Sequence, residues 1–373
     1  MNYSQRYHEL NAQFQLGTNT HLTESDIDIR FYSFKSLPLS AKDEKVIANP
    51  ADETISENLA FVYPIFVPQK TKKSTNAILL MHGLNERNWS KYLTWAEYLC
   101  EKTGKPVILF PIAFHMNRSP IAWSNPRALQ PLMDFRRKLN GDDRTLSFAN
   151  VALSERISEK PIRFYSSGRQ SMFDLTQLFT EIKSGMHLLF AENTQIDIFA
   201  YSIGAFLSQI TVMTNPENLF TDSKLFMFCG GGIFSSMSGE SRSIMDKPAF
   251  SRLLNYYMTD FATEAAEKSV HDKGFESFLS MISPEQNQTE REGFFKRLGN
   301  KVSGISLVKD YVIPYEGVVK ALGTECAKKC IRLLDFNFPY THENPFPIGD
   351  KQNTKDVDAS FKSIFSNASH FLA

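Results

Sequence analysis

Residues 195–204 read QIDIFAYSIG and decide the fold of this chain. A short apolar strand ends at Tyr201, and a segment of helical composition begins directly after Gly204. A serine on a sharp turn between a strand and a helix is exposed for nucleophilic attack. Such a turn needs small residues two positions before and after the serine, where Ala200 and Gly204 stand. The pattern predicts Ser202 as a nucleophile, with a buried structural serine as the alternative.

Two later segments supply an acid and a base in the order that such a nucleophile requires. Asp310 ends a predicted strand that begins at Ile305, and His342 lies in the loop after a second predicted strand over residues 331–336. The sequence thus predicts Ser202, Asp310 and His342 as nucleophile, acid and base.

Other residues compete for both partner roles. His370 is the alternative base, although a histidine at the end of the predicted final helix also complements the negative end of its dipole. We prefer His342 because it directly follows the last strand. Asp246, in the loop after the preceding strand, is the alternative acid, whereas Asp335 is expected inside a strand.

A glycine-containing loop upstream is suited to oxyanion binding. An apolar strand ends there in His82-Gly83. Gly83 lets the backbone come close to a substrate oxygen. We expect the N–H of Leu84 or Asn85 to act together with that of Ile203, which stands at the positive end of a helix dipole.

On these motifs the chain resembles an α/β-hydrolase. The resemblance extends over roughly residues 60 to 373, matches no specific esterase, lipase or peptidase family, and rests on His82-Gly83, the turn at 200–204, Asp310 and His342. Ala200 stands where the usual pattern has Gly. The resemblance implies acyl-transfer or hydrolytic chemistry at a serine, without a metal or organic cofactor. It does not identify a substrate, because this superfold hosts many activities.

The order of apolar segments predicts an α/β fold with a mostly parallel central sheet flanked by helices. The strand over residues 59–67 is expected at a sheet edge, because Pro64 cannot donate to a ladder. Two connections are longer than such a sheet needs. We expect an N-terminal extension with the first strands over 1–55, a hydrolase core over 56–230 and 304–373 with an insert at about 113–169, and a helical cap insertion over 231–303.

Composition favours an apolar pocket, since the chain has 31 Phe. We expect most aromatic residues of the 231–303 segment to form a helical core, and a few to line a cleft above Ser202. Sites form where an insert meets the carboxyl edge of a sheet. The basic residues of the first insert offer an alternative, the binding of an anionic group: Arg118, Arg127, Arg136 and Arg137.

The charge balance and the cysteine content limit the kinds of partner and metal site that are expected. The 41 Lys and Arg residues balance 41 Asp and Glu, which predicts no general attraction to nucleic acid or an anionic membrane. A polar start and the lack of a long apolar run predict a cytoplasmic protein. The four cysteines show no metal-ligand spacing, so neither a zinc site nor a disulfide framework is expected. The expected partner is a small-molecule substrate, and the oligomeric state stays open.

Together these observations predict a serine hydrolase of the carboxylic ester hydrolase type. Its substrate would be an ester, thioester or amide of a small, apolar acyl group, cleaved through an acyl-serine. Two alternatives stay open: an acyltransferase, and a catalytically inactive α/β-hydrolase-like binding or scaffold protein.

Overall fold

The computed structural model describes residues 2–42, 49–141, 143–267, 272–349 and 354–373. Runs of apolar, β-branched and aromatic residues form the strands of one sheet. Within the described ranges these strands are β1 (Thr20–Leu22), β2 (Ile27–Lys35), β3 (Ala60–Pro68), β4 (Ser74–Met81), β5 (Val107–Leu109), β6 (Phe190–Tyr201), β7 (Leu225–Phe228), β8 (Val302–Leu307) and β9 (Ile331–Leu334).

The sheet is mostly parallel, as predicted. Its strand order is β1-β2-β3-β5-β4-β6-β7-β8-β9. The strands from β5 through β4 to β9 pair in parallel, and β1, β2 and β3 form an antiparallel end. Ser202 follows β6, which lies near the centre of this order.

Helices connect the strands. They are α1 (Tyr3–Gln13), α2 (Leu39–Lys42), α3 (Pro50–Glu53), α4 (Ser56–Leu59), α5 (Ser90–Thr103), α6 (Pro126–Asn140), α7 (Val151–Glu159), α8 (Arg163–Lys183), α9 (Ile203–Thr214), α10 (Lys247–Thr259), α11 (Phe261–Glu267), α12 (Lys273–Ser280), α13 (Gln288–Leu298), α14 (Tyr315–Leu322), α15 (Thr324–Cys330) and α16 (Thr354–Leu372). Among the described residues, none of these helices combines the length and the apolar character that crossing a bilayer requires.

Both faces of the sheet are buried, because successive strand residues point to opposite sides. In β4, Ala77, Leu79 and Met81 belong to one apolar core, which also contains residues of α8 and α9. Ile78 and Leu80 belong to a second core, shared with α5 and α16. The prediction of an α/β fold with helices on both faces is therefore confirmed.

The strand that contains Pro64 is not at an edge, so that prediction was wrong. β3 lies between β2 and β5. Pro64 is opposite Phe31 of β2, and the pairing with β5 involves only Ile65 and Phe66. Because this short ladder begins after Pro64, the missing N–H of the proline does not interrupt it.

The two long connections fold into helices that contact each other. Residues 113–169 contain α6, α7 and the start of α8, and residues 231–303 contain α10 to α13. Arg136 of α6 makes two hydrogen bonds of 2.7 Å to Asp246, whose carboxylate also caps the N-terminus of α10. Both side chains are buried. The connections thus lie against each other, while the domain boundaries given above stay predictions.

Candidate active site

Ser202 occupies the sharp turn between β6 and α9. Its backbone has φ 57° and ψ −126°, a region in which a non-glycine residue costs about 1 to 3 kcal/mol. The surrounding sheet holds it there, because its N–H donates to Phe228 O at 3.3 Å and its carbonyl accepts from Ala205 N at 3.0 Å. This is the strand–turn–helix geometry of a nucleophilic serine.

Two glycines leave the space for this turn. A Cβ on Gly204 would lie 2.7 Å from His82 O, and a Cβ on Gly230 would lie 2.6 Å from Ala205 Cβ and 2.9 Å from Ser202 O. Gly204 was predicted, and Gly230 was missed. Its signal in the sequence is the run of three glycines directly after Cys229.

Ser202, His342 and Asp310 form one hydrogen-bonded series. Ser202 Oγ lies 2.7 Å from His342 Nε2, and His342 Nδ1 lies 2.8 Å from Asp310 Oδ2. The other Asp310 oxygen accepts from the N–H groups of Val312 and Ile313 at 3.0 and 2.9 Å. Ser202 and His342 are each 4% exposed and Asp310 is 2% exposed, so the series is shielded from water.

Two tyrosines hold the loop that carries His342. The Tyr201 ring stacks on the imidazole at 5.5 Å between centroids, and its hydroxyl donates to the backbone carbonyl of His342. Tyr340 accepts from Lys309 N at 3.0 Å and donates to Asp335 at 2.7 Å. Neither tyrosine was predicted to have a role. Asp335, expected inside a strand, follows the end of β9.

The alternative acid and base lie elsewhere. Asp246 is bound to Arg136 and to the N-terminus of α10, so its carboxylate is already used. His370 is exposed in the last turn of α16. The structure brings His342 and Asp310 to Ser202, and neither alternative makes a hydrogen bond to it among the described residues.

The loop after β4 is fixed by a polar network. The Gly83 N–H donates to the Tyr92 hydroxyl at 2.9 Å, and this hydroxyl donates to Glu86 at 2.8 Å. Lys91 lies 2.5 Å from the same Glu86 oxygen. Because the Gly83 N–H is bound to Tyr92, a substrate oxygen near this loop would find its first free donor after Gly83. The next residue is Leu84, whose N–H makes no hydrogen bond to any described residue.

His82 has a structural place beneath this loop. Its Nε2 accepts from Ile112 N at 2.9 Å, and its Nδ1 lies 2.8 Å from Gly83 O. These bonds require the neutral ring, with the proton on Nδ1. Burial lowers the pKa of His82 to about 3, so the ring stays neutral over the physiological range.

Asn85 joins this loop to both long connections. Its side-chain amide donates to Ala149 O at 2.8 Å and to Ser243 O at 2.7 Å. Its backbone has φ 60°, a conformation that asparagine tolerates better than most residues. The predicted oxyanion roles of Leu84, Asn85 and Ile203 stay predictions. As the first residue of α9, Ile203 has an N–H without an acceptor inside the helix.

An apolar cavity opens beside the turn. It is lined by aliphatic and aromatic side chains from the loops after β4 and β5 and from α8, α9 and α12, among them Leu84, Ile112, Phe164, Ile203, Phe206 and Phe278. Phe278 is an aromatic residue of the second long connection, and others such as Phe234, Phe261 and Phe275 are in the buried core. The cavity has the character that an acyl group requires.

Two of the four arginines proposed for an anionic group have other partners. Arg118 is buried and bound to Asp174 at 2.7 Å, and Arg136 is bound to Asp246. Arg127 and Arg137 are exposed on α6. The two buried arginines are therefore paired within the fold and are not free to bind an anionic group.

The strand order, the turn at Ser202 and the chain order of the serine, aspartate and histidine are together those of an α/β-hydrolase. The predicted resemblance is confirmed at the level of the fold. The structure assigns no substrate.

None of the curated proteins matches this chain in sequence. Solved structures similar to it include an S-formylglutathione hydrolase from Agrobacterium tumefaciens, with 12% identity, a TM-score of 0.48 and coverage of 96% of this chain and 100% of that chain. Vibralactone cyclase has 11% identity, a TM-score of 0.49 and coverage of 100% and 86%. Carboxyl esterase 2 from the mycorrhizal fungus Tuber melanosporum has 8% identity, a TM-score of 0.45 and coverage of 100% and 99%. The model of the family of unknown function DUF6051 matches residues 1–373, so the chain belongs to that family.

Proposed function

We propose that this protein is a serine hydrolase that cleaves an ester, thioester or amide of a small, apolar acyl group. The observation that carries the proposal is the hydrogen-bonded series from Ser202 Oγ through His342 to Asp310, set at a strained strand–turn–helix junction. A merely structural serine needs neither the strain nor the shielded imidazole–carboxylate pair.

In the first step His342 Nε2 accepts the proton of Ser202 as Oγ attacks the carbonyl carbon. The imidazole then carries a positive charge, which the adjacent Asp310 carboxylate stabilises while it holds the ring in the required tautomer. The N–H groups of Val312 and Ile313, which donate hydrogen bonds to Asp310, fix the carboxylate in this orientation. His342 returns the proton to the leaving group.

The negative charge on the former carbonyl oxygen needs donors. We assign this role to the N–H of Leu84 and Ile203, with Asn85 as the alternative to Leu84. Each donor of this kind contributes about 3 kcal/mol to the transition state. The support for Leu84 is that the preceding Gly83 N–H is already bound to Tyr92.

The acyl-serine that results is attacked by water, with His342 now acting as base. The acyl group would lie in the apolar cavity beside Ile203. We propose residues 231–303 as the cap over this site, because Ser202 is only 4% exposed and Ser243 is tied to the loop after β4. Substrate entry then requires this contact to open.

A fluorophosphonate probe tests the nucleophile, since it forms a covalent bond only with an activated serine. We expect labelling of the native protein at Ser202 and none in Ser202→Ala. Ser208→Ala is the matched control, because Ser208 is a buried serine on α9 whose hydroxyl has no partner among the described residues. A folded protein that is not labelled would contradict the proposal and favour a binding or scaffold role.

The acyl preference is tested with p-nitrophenyl esters of increasing chain length. We expect kcat/KM to rise with chain length until the apolar cavity is filled and to fall beyond that length. Covalent labelling at Ser202 without release of product in water, but with release after addition of an alcohol or amine, would identify an acyltransferase instead.

A further inference from the structure

A second chamber adjoins the apolar cavity. The two share Leu84, His115, Phe164 and Ser167 in their walls. Because the Leu84 N–H is the proposed oxyanion donor, a substrate held there can reach both chambers. If the apolar cavity receives the acyl group, the second chamber is left for the alcohol, thiol or amine part.

The second chamber is rich in arginine. Arg87, Arg156 and Arg163 line it, and we call this cavity the arginine chamber. Two of them are already neutralised: Arg163 binds Asp52 at 2.9 Å and Glu159 at 2.5 Å, and Arg156 binds the second oxygen of Asp52 at 3.1 Å. The carboxylates of Asp52 and Glu159 thus neutralise the two positive charges of Arg156 and Arg163.

Arg87 differs because it has no carboxylate partner among the described residues. Its Nη1 donates to Trp123 O at 2.6 Å and to Ser124 Oγ at 3.3 Å, and its Nη2 donates to Ala149 O at 3.2 Å. Its Nε makes no hydrogen bond to a described residue. Burial lowers the pKa of Arg87.

The acidic residue that lines the chamber is also paired. Glu86 lies 2.5 Å from Lys91 and accepts from Tyr92. With Glu86 paired to Lys91, and Asp52 and Glu159 paired to the remaining two arginines, the charge of Arg87 is left uncompensated.

Other buried arginines show what complete pairing looks like in this fold. Arg118 and Arg136 are each bound to a buried aspartate. Arg291 has only carbonyl partners, but all three of its nitrogens are bonded. Arg87 has neither a carboxylate nor a full set of acceptors.

Aromatic rings hold the neighbouring guanidinium in place. The Arg156 guanidinium carbon lies 4.2 Å from the centroid of the Trp123 ring and 5.1 Å from that of Phe114. All three residues line the chamber. Such stacking holds the Arg156 guanidinium in the wall of the chamber while its Nη1 binds Asp52.

We propose that the arginine chamber binds a carboxylate on the leaving-group side of the substrate, so that the enzyme prefers apolar acyl esters of negatively charged alcohols or thiols. This inference rests on the proposed hydrolase function and names its substrate class. Arg87 supplies the uncompensated charge, while Arg156 and Arg163, each paired with a carboxylate, form part of the wall beside it.

A matched pair of esters tests the preference. 4-Carboxyphenyl butyrate and 4-carbamoylphenyl butyrate have the same acyl group. The leaving group of the first carries a carboxylate, and that of the second carries a neutral carboxamide of similar shape. We expect the wild-type enzyme to favour the carboxylate ester by about 10- to 100-fold in kcat/KM, the range of a charge-assisted hydrogen bond. The preference should shrink as ionic strength rises.

Variants then locate the effect. Arg87→Gln should reduce the ratio of the two kcat/KM values to near one, and Arg87→Lys should keep part of it, because lysine retains the charge without the planar fork. Arg137→Gln is the matched control, an exposed arginine of α6 whose loss should leave the ratio unchanged. Turnover of the neutral ester in each variant reports whether the site is still intact.

The outcomes separate the two proposals. If neither ester is cleaved and no serine is labelled, the hydrolase function itself fails. If the neutral ester is cleaved and the carboxylate ester is no better, or if its advantage survives Arg87→Gln, the hydrolase proposal stands and the arginine chamber does not bind the substrate.

Discussion

Ser202, the proposed nucleophile, has an unfavourable backbone conformation. Its φ of 57° and ψ of −126° suit glycine, whereas alanine and serine carry the same strain. We therefore expect Ser202→Gly to be more stable than Ser202→Ala by about 1 kcal/mol after the extra chain entropy of glycine is subtracted. The measurement is the free energy of unfolding in urea, with activity absent in both variants.

The control for this prediction is a serine in regular structure. Ser208 lies inside α9, where glycine is less favourable than alanine by about 1 kcal/mol. Ser208→Gly should therefore be less stable than Ser208→Ala, the opposite order. The same order at both positions would show that the turn at Ser202 is not strained.

The two histidines give the sharpest test of the base. His342→Ala should lower turnover of a small ester about as much as Ser202→Ala, by about 10⁶-fold in kcat, because triad members act as a unit. Asp310→Asn should cost about 10⁴-fold, since the ring remains but loses the correct tautomer. His370→Ala should leave activity unchanged. Wild-type activity in His342→Ala would exclude the mechanism proposed above.

At the scale of elements, Asn85 links the loop after β4 to both long connections. Asn85→Asp replaces the amide nitrogen, which donates to the carbonyls of both Ala149 and Ser243, by a carboxylate oxygen that cannot donate to them. We expect a loss of about 1 to 3 kcal/mol in stability and faster proteolysis near these two residues. Thermal unfolding and limited proteolysis measure both effects.

Asn88→Asp is the matched control for this change. Asn88 is exposed and accepts from Ser90 N at the start of α5, a bond that a carboxylate keeps. The free energy of unfolding of the Asn88→Asp variant should stay unchanged or rise slightly, because a negative charge at the start of α5 complements the helix dipole. Equal losses in both variants would mean that Asn85 does not hold the connections together.

Elements could be predicted where local patterns decide them. The strand, turn and helix around Ser202 follow from residue size and apolar runs, and these are local properties. The place of β3 in the sheet depends on which strands pair with it, and Pro64 alone does not determine that. The contacts of Asp246 with Arg136 join segments 110 positions apart. No spacing rule reveals them.

At the scale of the whole molecule, buried histidines couple stability to pH. Burial lowers the pKa of both His82 and His115 to about 3, below the value of about 6.5 for an exposed histidine. As pH falls from 6.5 towards 3 the unfolded chain binds protons that the folded chain does not. Each of these residues should therefore reduce the free energy of unfolding by about 1.4 kcal/mol per pH unit.

Denaturant unfolding at several pH values between 7.5 and 4.5 measures this slope. His115→Gln should reduce it by the contribution of one proton, and His8→Gln should leave it unchanged because His8 is exposed. A slope that is the same in wild type and His115→Gln would show that His115 is protonated in the folded protein.

The candidate site could be predicted in part from the whole sequence. The order of Ser202, Asp310 and His342 along the chain follows from where strands end. The residues that support them could not be predicted, because Tyr201 and Tyr92 act through contacts that exist only after folding. Arg87 was missed for the same reason, since its lack of a carboxylate partner is visible only in three dimensions.

Cys229 stands directly after β7, fully buried, and the neighbouring Asp310 carboxylate adds to burial in raising the pKa of its thiol well above the ordinary range. The thiolate is the form that attacks an alkylating reagent, and the reagent must be able to reach it. Cys326 is only partly buried, and its contact with Cys330 lowers its pKa, so mild alkylation should consume it first. Alkylation of the accessible thiols should therefore leave Cys229, which lies next to Asp310, unmodified. A sample treated in this way can still be used to test the proposed reactivity of Ser202.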